Sequence, residues 1–360
     1  MGISLFYYAV FLIFGFVAMY AVFAPLAKMF EKNGKMTFSM QPILYIFFLY
    51  CLGAVGAYFL SDNRDFVSIP DFMRIVAPLV CAVLIYVSAL LFGEKTASVM
   101  LVLSVALCVF LQPLEAKAVP FGLNETVFKV LATIFFSGFC LGYKVLNVLP
   151  HTIVIISSTM LFGVSFLAGI GAAPVYLALV CAILIGSLVA YMGVNLQQVK
   201  IEFDDISCML LAFMMANIFL LDAGELSFCS CIIFTLVFWA ELSVALYNKF
   251  FINKSGRLVF NSHIFAAAQK LPLITLMSNV FKLGLIAVFF GWFQLFSVNQ
   301  YSLPIVTYVI ILWLNTSMGA NLLQTPKSLK QINAEFVEDI KQNLKETKET
   351  ISQATNKKDN

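Results

Sequence analysis

The sequence predicts an all-α polytopic membrane protein with about eleven transmembrane helices. Three observations carry this prediction. The chain of 360 residues is 61% hydrophobic. Only 11% of its residues are charged, against about a quarter in soluble domains. Several runs reach the roughly 20 apolar residues that a bilayer crossing needs, and they carry no charge. A transmembrane β-barrel would instead show short alternating strands.

The expected spans, in order, are 3–27, 42–60, 75–92, 96–113, 127–146, 152–169, 173–196, 206–221, 226–247, 278–297 and 302–319. The first lacks the basic start and small-residue cleavage site of a signal peptide, so it reads as an uncleaved span. Glu94-Lys95 forms a very tight turn between the third and fourth runs. Asn147, Pro150 and His151 mark the turn between the fifth and sixth. A polar, acidic stretch from Asn195 to Asp205 separates the seventh from the eighth. Glu241 lies inside the ninth, about two turns before Lys249. The longest loop between spans, 249–277, precedes the tenth.

Lysine and arginine set the orientation. One set of loops and span ends holds eleven of them: Lys28, Lys32, Lys35, Lys95, Lys144, Lys200, Lys249, Lys254, Arg257, Lys270 and Lys282. The other holds four: Arg64, Arg74, Lys117 and Lys129. The richer set is expected in the cytoplasm, with the N-terminus outside and the C-terminus inside an inner or plasma membrane. Residues 1–320 form the transmembrane domain, and 321–360 form a cytoplasmic amphipathic tail. In the tail Leu329, Ile332, Phe336, Ile340, Leu344 and Ile351 recur at helical spacing. Its seven lysines against six acids make a poor polybasic lipid anchor. It is expected to rest on the protein's own cytoplasmic face or to bind a protein partner.

Composition also excludes some classes. A net charge of +3 does not argue for nucleic acid. The eight cysteines all fall in apolar runs, where cysteine packs as a small apolar residue. Cys229 and Cys231 lack the second pair that a zinc site would need.

Charged residues next to or inside spans suggest function. Adjacent carboxylates Asp204 and Asp205 stand at the start of an apolar helix. They can cap it, since a helix N-terminus favours an acceptor and a negative charge. They can also hold a hard cation such as Mg²⁺, which selects carboxylate oxygens. Glu94, Asn147, Asp204, Asp205, Glu241 and His263 are all expected on one membrane face. A carboxylate-lined cleft there suits a reaction between a soluble phosphate-bearing substrate and a lipid.

In this pattern the chain resembles the polyprenyl-phosphate N-acetylhexosamine-1-phosphate transferases, a glycosyltransferase group that includes phospho-N-acetylmuramoyl-pentapeptide transferase. The family carries a pattern close to F-N-x-x-P-A-K-I-F-M-G-D-x-G-S. Over Val194 to Cys208 this chain agrees at Asn195, Lys200, Ile201 and Asp205, with Asp205 on the family's metal-binding aspartate. Glu241-Leu242-Ser243-Val244 resembles an acidic leucine-serine-valine run of the murein-precursor branch. Arg257, Phe260 and His263 follow the order of a later family loop. The resemblance extends in span order to about residue 320.

It implies cytoplasmic active-site-like loops and a phosphotransferase activity. A sugar phosphate would move from a UDP-sugar to polyprenyl phosphate with Mg²⁺, in cell-envelope peptidoglycan or polysaccharide biosynthesis. Asp205 would be the metal ligand, supported by Asp204 and Glu94, with Asn147 and His263 among the catalytic group. Asn195, Lys200, Lys144, Arg257 and Glu241 would contact substrate.

The departures bear on whether the reaction survives. The family's aspartate pair falls on Gly93-Glu94, so one acid is lost. Two further aspartates become Pro150 and Ile153, and Lys144 stands where the family has asparagine. That lysine can contact a phosphate or fill the place of a missing metal charge. Two alternatives therefore accompany the transferase expectation: an inactive relative that binds lipid or scaffolds a partner, and an unrelated membrane transporter. The transporter is disfavoured because no internal repeat is visible and the polar residues gather on one face.

Overall fold

The computed structural model describes residues 5–32, 37–38, 41–60, 69–112, 123–146, 150–169, 175–195, 201–223, 228–247, 273–294 and 302–320. The chain divides into two compact units, Met1–Thr316 and Ser317–Asn360. The tail expected to be amphipathic lies outside the described residues.

The described part of the first unit is helical, apart from one two-residue strand pairing. Its helices are α1 (Leu5–Lys32), α2 (Gln41–Leu60), α3 (Ile69–Phe92), α4 (Glu94–Leu111), α5 (Glu125–Gly142), α6 (Pro150–Gly169), α7 (Val175–Asn195), α8 (Asp205–Ala223), α9 (Phe228–Phe234), α10 (Leu236–Tyr247), α11 (Leu273–Phe293) and α12 (Ser302–Ala320). Among the described residues, six helices are long and apolar enough to cross a membrane: α1, α3, α4, α5, α6 and α7. Such a set of helices is that of an integral membrane protein. The described residues of each other expected stretch also fall largely on helix. The ninth is divided at Thr235, whose hydroxyl and amide both donate to the Ile232 carbonyl, at 2.8 Å and 3.0 Å. A threonine bonding back to its own helix competes with the regular ladder and bends it.

Burial separates inner from outer helices. α8 is buried on every side from Ile206 to Leu220, which suits its all-round apolar sequence. α7 is buried almost as fully and packs against α1, α2 and α6. On α3, α4 and α5 the outward apolar residues are exposed, among them Leu90, Leu103 and Ile134. A bilayer would cover such surface.

Several connections meet at one end of the bundle. Gly93 alone joins α3 to α4, at φ +83° and ψ −178°. That conformation is open in practice only to glycine. A short 3-10 turn, Tyr143–Leu146, follows α5. Strand β1 (Thr37–Phe38), between α1 and α2, pairs in parallel with β2 (Ile201–Glu202), which precedes α8. The opposite end carries Arg74, which donates from Nε to Gln112 Oε1 at 2.7 Å, and the Lys129–Glu125 ion pair at 2.8 Å.

Candidate functional site

The site is built from three of these connections. Glu94 opens α4, directly after the Gly93 turn. Lys144 lies in the 3-10 turn after α5. Asp205 opens α8. The Lys144 ammonium donates to Glu94 Oε1 at 3.1 Å and to Asp205 Oδ2 at 3.5 Å. The side chains are 47%, 34% and 52% exposed for Glu94, Lys144 and Asp205. Burial alone would lower the pKa of Lys144. The hydrogen bond to Glu94 and the charges of Asp205 and Glu94 outweigh it, and the ammonium is held above its ordinary value.

Asp204 does different work from its neighbour. Its Oδ1 accepts the Ser207 amide at 2.7 Å, and its carbonyl accepts the Cys208 amide at 3.1 Å. Asp204 is therefore the N-cap of α8, an arrangement that typically stabilises a helix by about 1 kcal/mol. Of the two adjacent carboxylates, one caps the helix and the other faces the lysine.

Two other expected site residues, Asn195 and Glu241, are buried. Asn195 is buried at the end of α7 and donates from Nδ2 to the Tyr191 carbonyl at 3.3 Å. Glu241 is fully buried within α10, which packs on the 143–146 turn. Asn147, Lys200, Arg257 and His263 lie outside the described residues. His151 falls in the first turn of α6.

One contact beneath the cluster was not anticipated. The Tyr143 hydroxyl and Ser157 Oγ share a hydrogen bond of 2.5 Å, with Met215 Sδ 3.8 Å from the same hydroxyl. It ties the residue before Lys144 to α6 and α8. The signal in the sequence is the Ser157-Ser158-Thr159 run in a mostly apolar span.

The donor set can be tested against Mg²⁺. That ion demands near-octahedral oxygen coordination at about 2.0–2.1 Å. Here the ammonium of Lys144 stands between the two carboxylates, and Asp204 has committed an oxygen to the helix cap. Among the described residues, no three of His, Cys, Asp or Glu are grouped to hold a metal ion. As arranged, Glu94, Asp204 and Asp205 do not fit the ion. Glu94 and Asp205 instead form a bridge in which two negative groups share one positive group, Lys144, at one end of the helix bundle.

Fold and site together define a helical integral membrane protein with a lysine-bridged carboxylate pair at one end. No protein-family profile matches the chain, and no curated protein sequence matches it.

Proposed function

We propose that this chain is a non-catalytic relative of the polyprenyl-phosphate sugar-1-phosphate transferases, which holds lipid in the membrane rather than moving a sugar phosphate. In this reading it has about eleven spans, its N-terminus lies outside, and the Glu94–Lys144–Asp205 end faces the cytoplasm. The observation that carries the reading is the ammonium of Lys144 between Glu94 and Asp205. Metal-dependent phosphoryl transfer uses carboxylates to hold cations that bridge and neutralise the phosphates. A fixed lysine supplies one positive charge but takes up the carboxylates in doing so.

Retained transfer is the second reading. It is favoured by the exposure of Glu94 and Asp205, about half in each case, which leaves both carboxylates reachable from water. One assay separates the two. Purified protein is incubated with UDP-N-acetylhexosamines, undecaprenyl phosphate and Mg²⁺, and UMP is measured. The expected result is no release from wild type, from Asp205→Asn or from Lys144→Asn. Release from wild type that needs Mg²⁺ and disappears in Asp205→Asn would establish transfer and sink the non-catalytic reading.

A further inference from the structure

Two thiols meet between α3 and α4. Gly93 alone joins these helices, so they pack side by side and run antiparallel. Their far ends are held in register by the bond from Arg74 to Gln112, two residues equally far from Gly93 in the sequence. Cys81 lies about 10 Å along α3 from Arg74, and Cys108 about 6 Å along α4 from Gln112. A helical Cβ leans towards the N-terminus of its own helix. In an antiparallel pair those directions oppose, so Cys81 leans towards the level of Cys108 and Cys108 towards that of Cys81. The thiols meet accordingly, and the Cys108 S–H donates to the Cys81 sulfur. The Ser104 hydroxyl, one turn before Cys108 on the same face of α4, donates to that sulfur too.

A disulfide needs two sulfurs about 2.05 Å apart on Cβ atoms about 3.5–4.5 Å apart. Hydrogen-bonded thiols on facing helices close to that geometry by turning about their own Cα–Cβ bonds. The thiolate is the attacking species, and two donors converge on Cys81, which makes it the nucleophile. Cys229 and Cys231, by contrast, stand two residues apart on one helix and do not face each other. Access selects the oxidant. Cys81 and Cys108 are 4% and 1% exposed, out of reach of reagents confined to water. Val80, Leu84 and Leu107 beside them are exposed on the apolar flank of the bundle, so hydrocarbon lies one side chain away. A bilayer-soluble, two-electron oxidant such as a quinone can approach from there.

We infer that Cys81 and Cys108 are a redox-active dithiol, which a lipophilic quinone closes to a disulfide between α3 and α4. The S–S bond forms as both S–H bonds break. The two electrons and two protons pass to the quinone, which leaves as the hydroquinone. Cys81 stands about 18 Å along α3 from the Gly93 turn. Oxidation of the pair therefore stands or falls separately from lipid holding and from the Glu94–Lys144–Asp205 end.

The test uses the full chain, reduced, placed in lipid nanodiscs and freed of reductant under argon. It is incubated with decylubiquinone, whose fully substituted ring leaves no carbon open to thiol addition. The protein is then denatured, and its free thiols are counted as N-ethylmaleimide adducts in the intact mass. Untreated protein should take up eight adducts. Quinone-treated protein should take up six of the eight, with peptide mapping linking Cys81 to Cys108. Oxidised glutathione, confined to water, should leave all eight free. Cys81→Ser and Cys108→Ser should each keep every remaining thiol after quinone, whereas Cys140→Ser, buried on α5, should still form the linked pair. The wild-type peptide map needs no variant and keeps the test valid where a serine variant fails to fold. A full eight adducts after quinone, or a link between other cysteines, would overturn the dithiol. Equal oxidation by glutathione would overturn the bilayer route.

Discussion

Lys144 is about one-third exposed and its two carboxylates about half, so solvent screens both ion pairs. Pairs of this kind contribute from a few tenths to about 1 kcal/mol each. Because the folded pKa of Lys144 is raised, its contribution is complete below the unfolded value of about 10.4. It is lost as pH rises through the higher folded value. The difference in melting temperature between wild type and Lys144→Gln should therefore stay constant from pH 7 to pH 9 and close only at about pH 10.4 and above. A difference that closes near neutrality would show that the lysine lacks its carboxylates in solution. The residue types of this site were legible in the sequence, but the pairing was not. Glu94, Lys144 and Asp205 come from three connections, so no local pattern reveals that they touch. Asp204 and Asp205 are chemically alike, and only the path of the backbone decides which one caps α8.

At the scale of elements, hydropathy located the helices because every apolar run must bury or face lipid. It was blind to the break at Thr235, which arises from a hydrogen bond and leaves the average hydropathy of the run unchanged. It was equally blind to how closely two helices approach. α1 and α7 meet through Gly15 and Gly186. A Cβ at Gly15 would strike the Ile183 carbonyl, and one at Gly186 would strike the Leu12 carbonyl. Backbone atoms cannot step aside as a side chain can, so Gly186→Ala must push the helices apart. Small residues at membrane helix contacts permit this close packing. The expected loss is about 1–3 kcal/mol, the usual cost of overpacking, read as a lower melting temperature in detergent. Gly193→Ala, on the same helix with nothing near its added methyl, should be no less stable than wild type. Equal stability of the two variants would mean that α1 does not pack on α7 in this way.

For the whole molecule, the distribution of lysine and arginine predicts which end faces the cytoplasm, and the structure adds that several such connections share an end. Glu94, Lys144 and Asp205 can form ion pairs only if the α3–α4, α5–α6 and α7–α8 connections lie together. The loop assignment had put all three on the lysine-rich side. α4 gives a direct test, since it is long and apolar enough to cross a membrane. Lys95 stands at its start, and Asn124 caps α5 just beyond its far end. Both side chains are exposed, whereas the native cysteines are buried or half-buried. Lys95→Cys and Asn124→Cys should therefore react cleanly with a membrane-impermeant maleimide. If the lysine-rich end is cytoplasmic, Asn124→Cys is labelled in intact cells and Lys95→Cys only after the membrane is opened. The reverse pattern would turn the molecule over and place the Glu94–Lys144–Asp205 bridge outside, away from any cytoplasmic nucleotide sugar. Labelling of both from the same side would mean that α4 does not cross, and the eleven-span arrangement would fall with it.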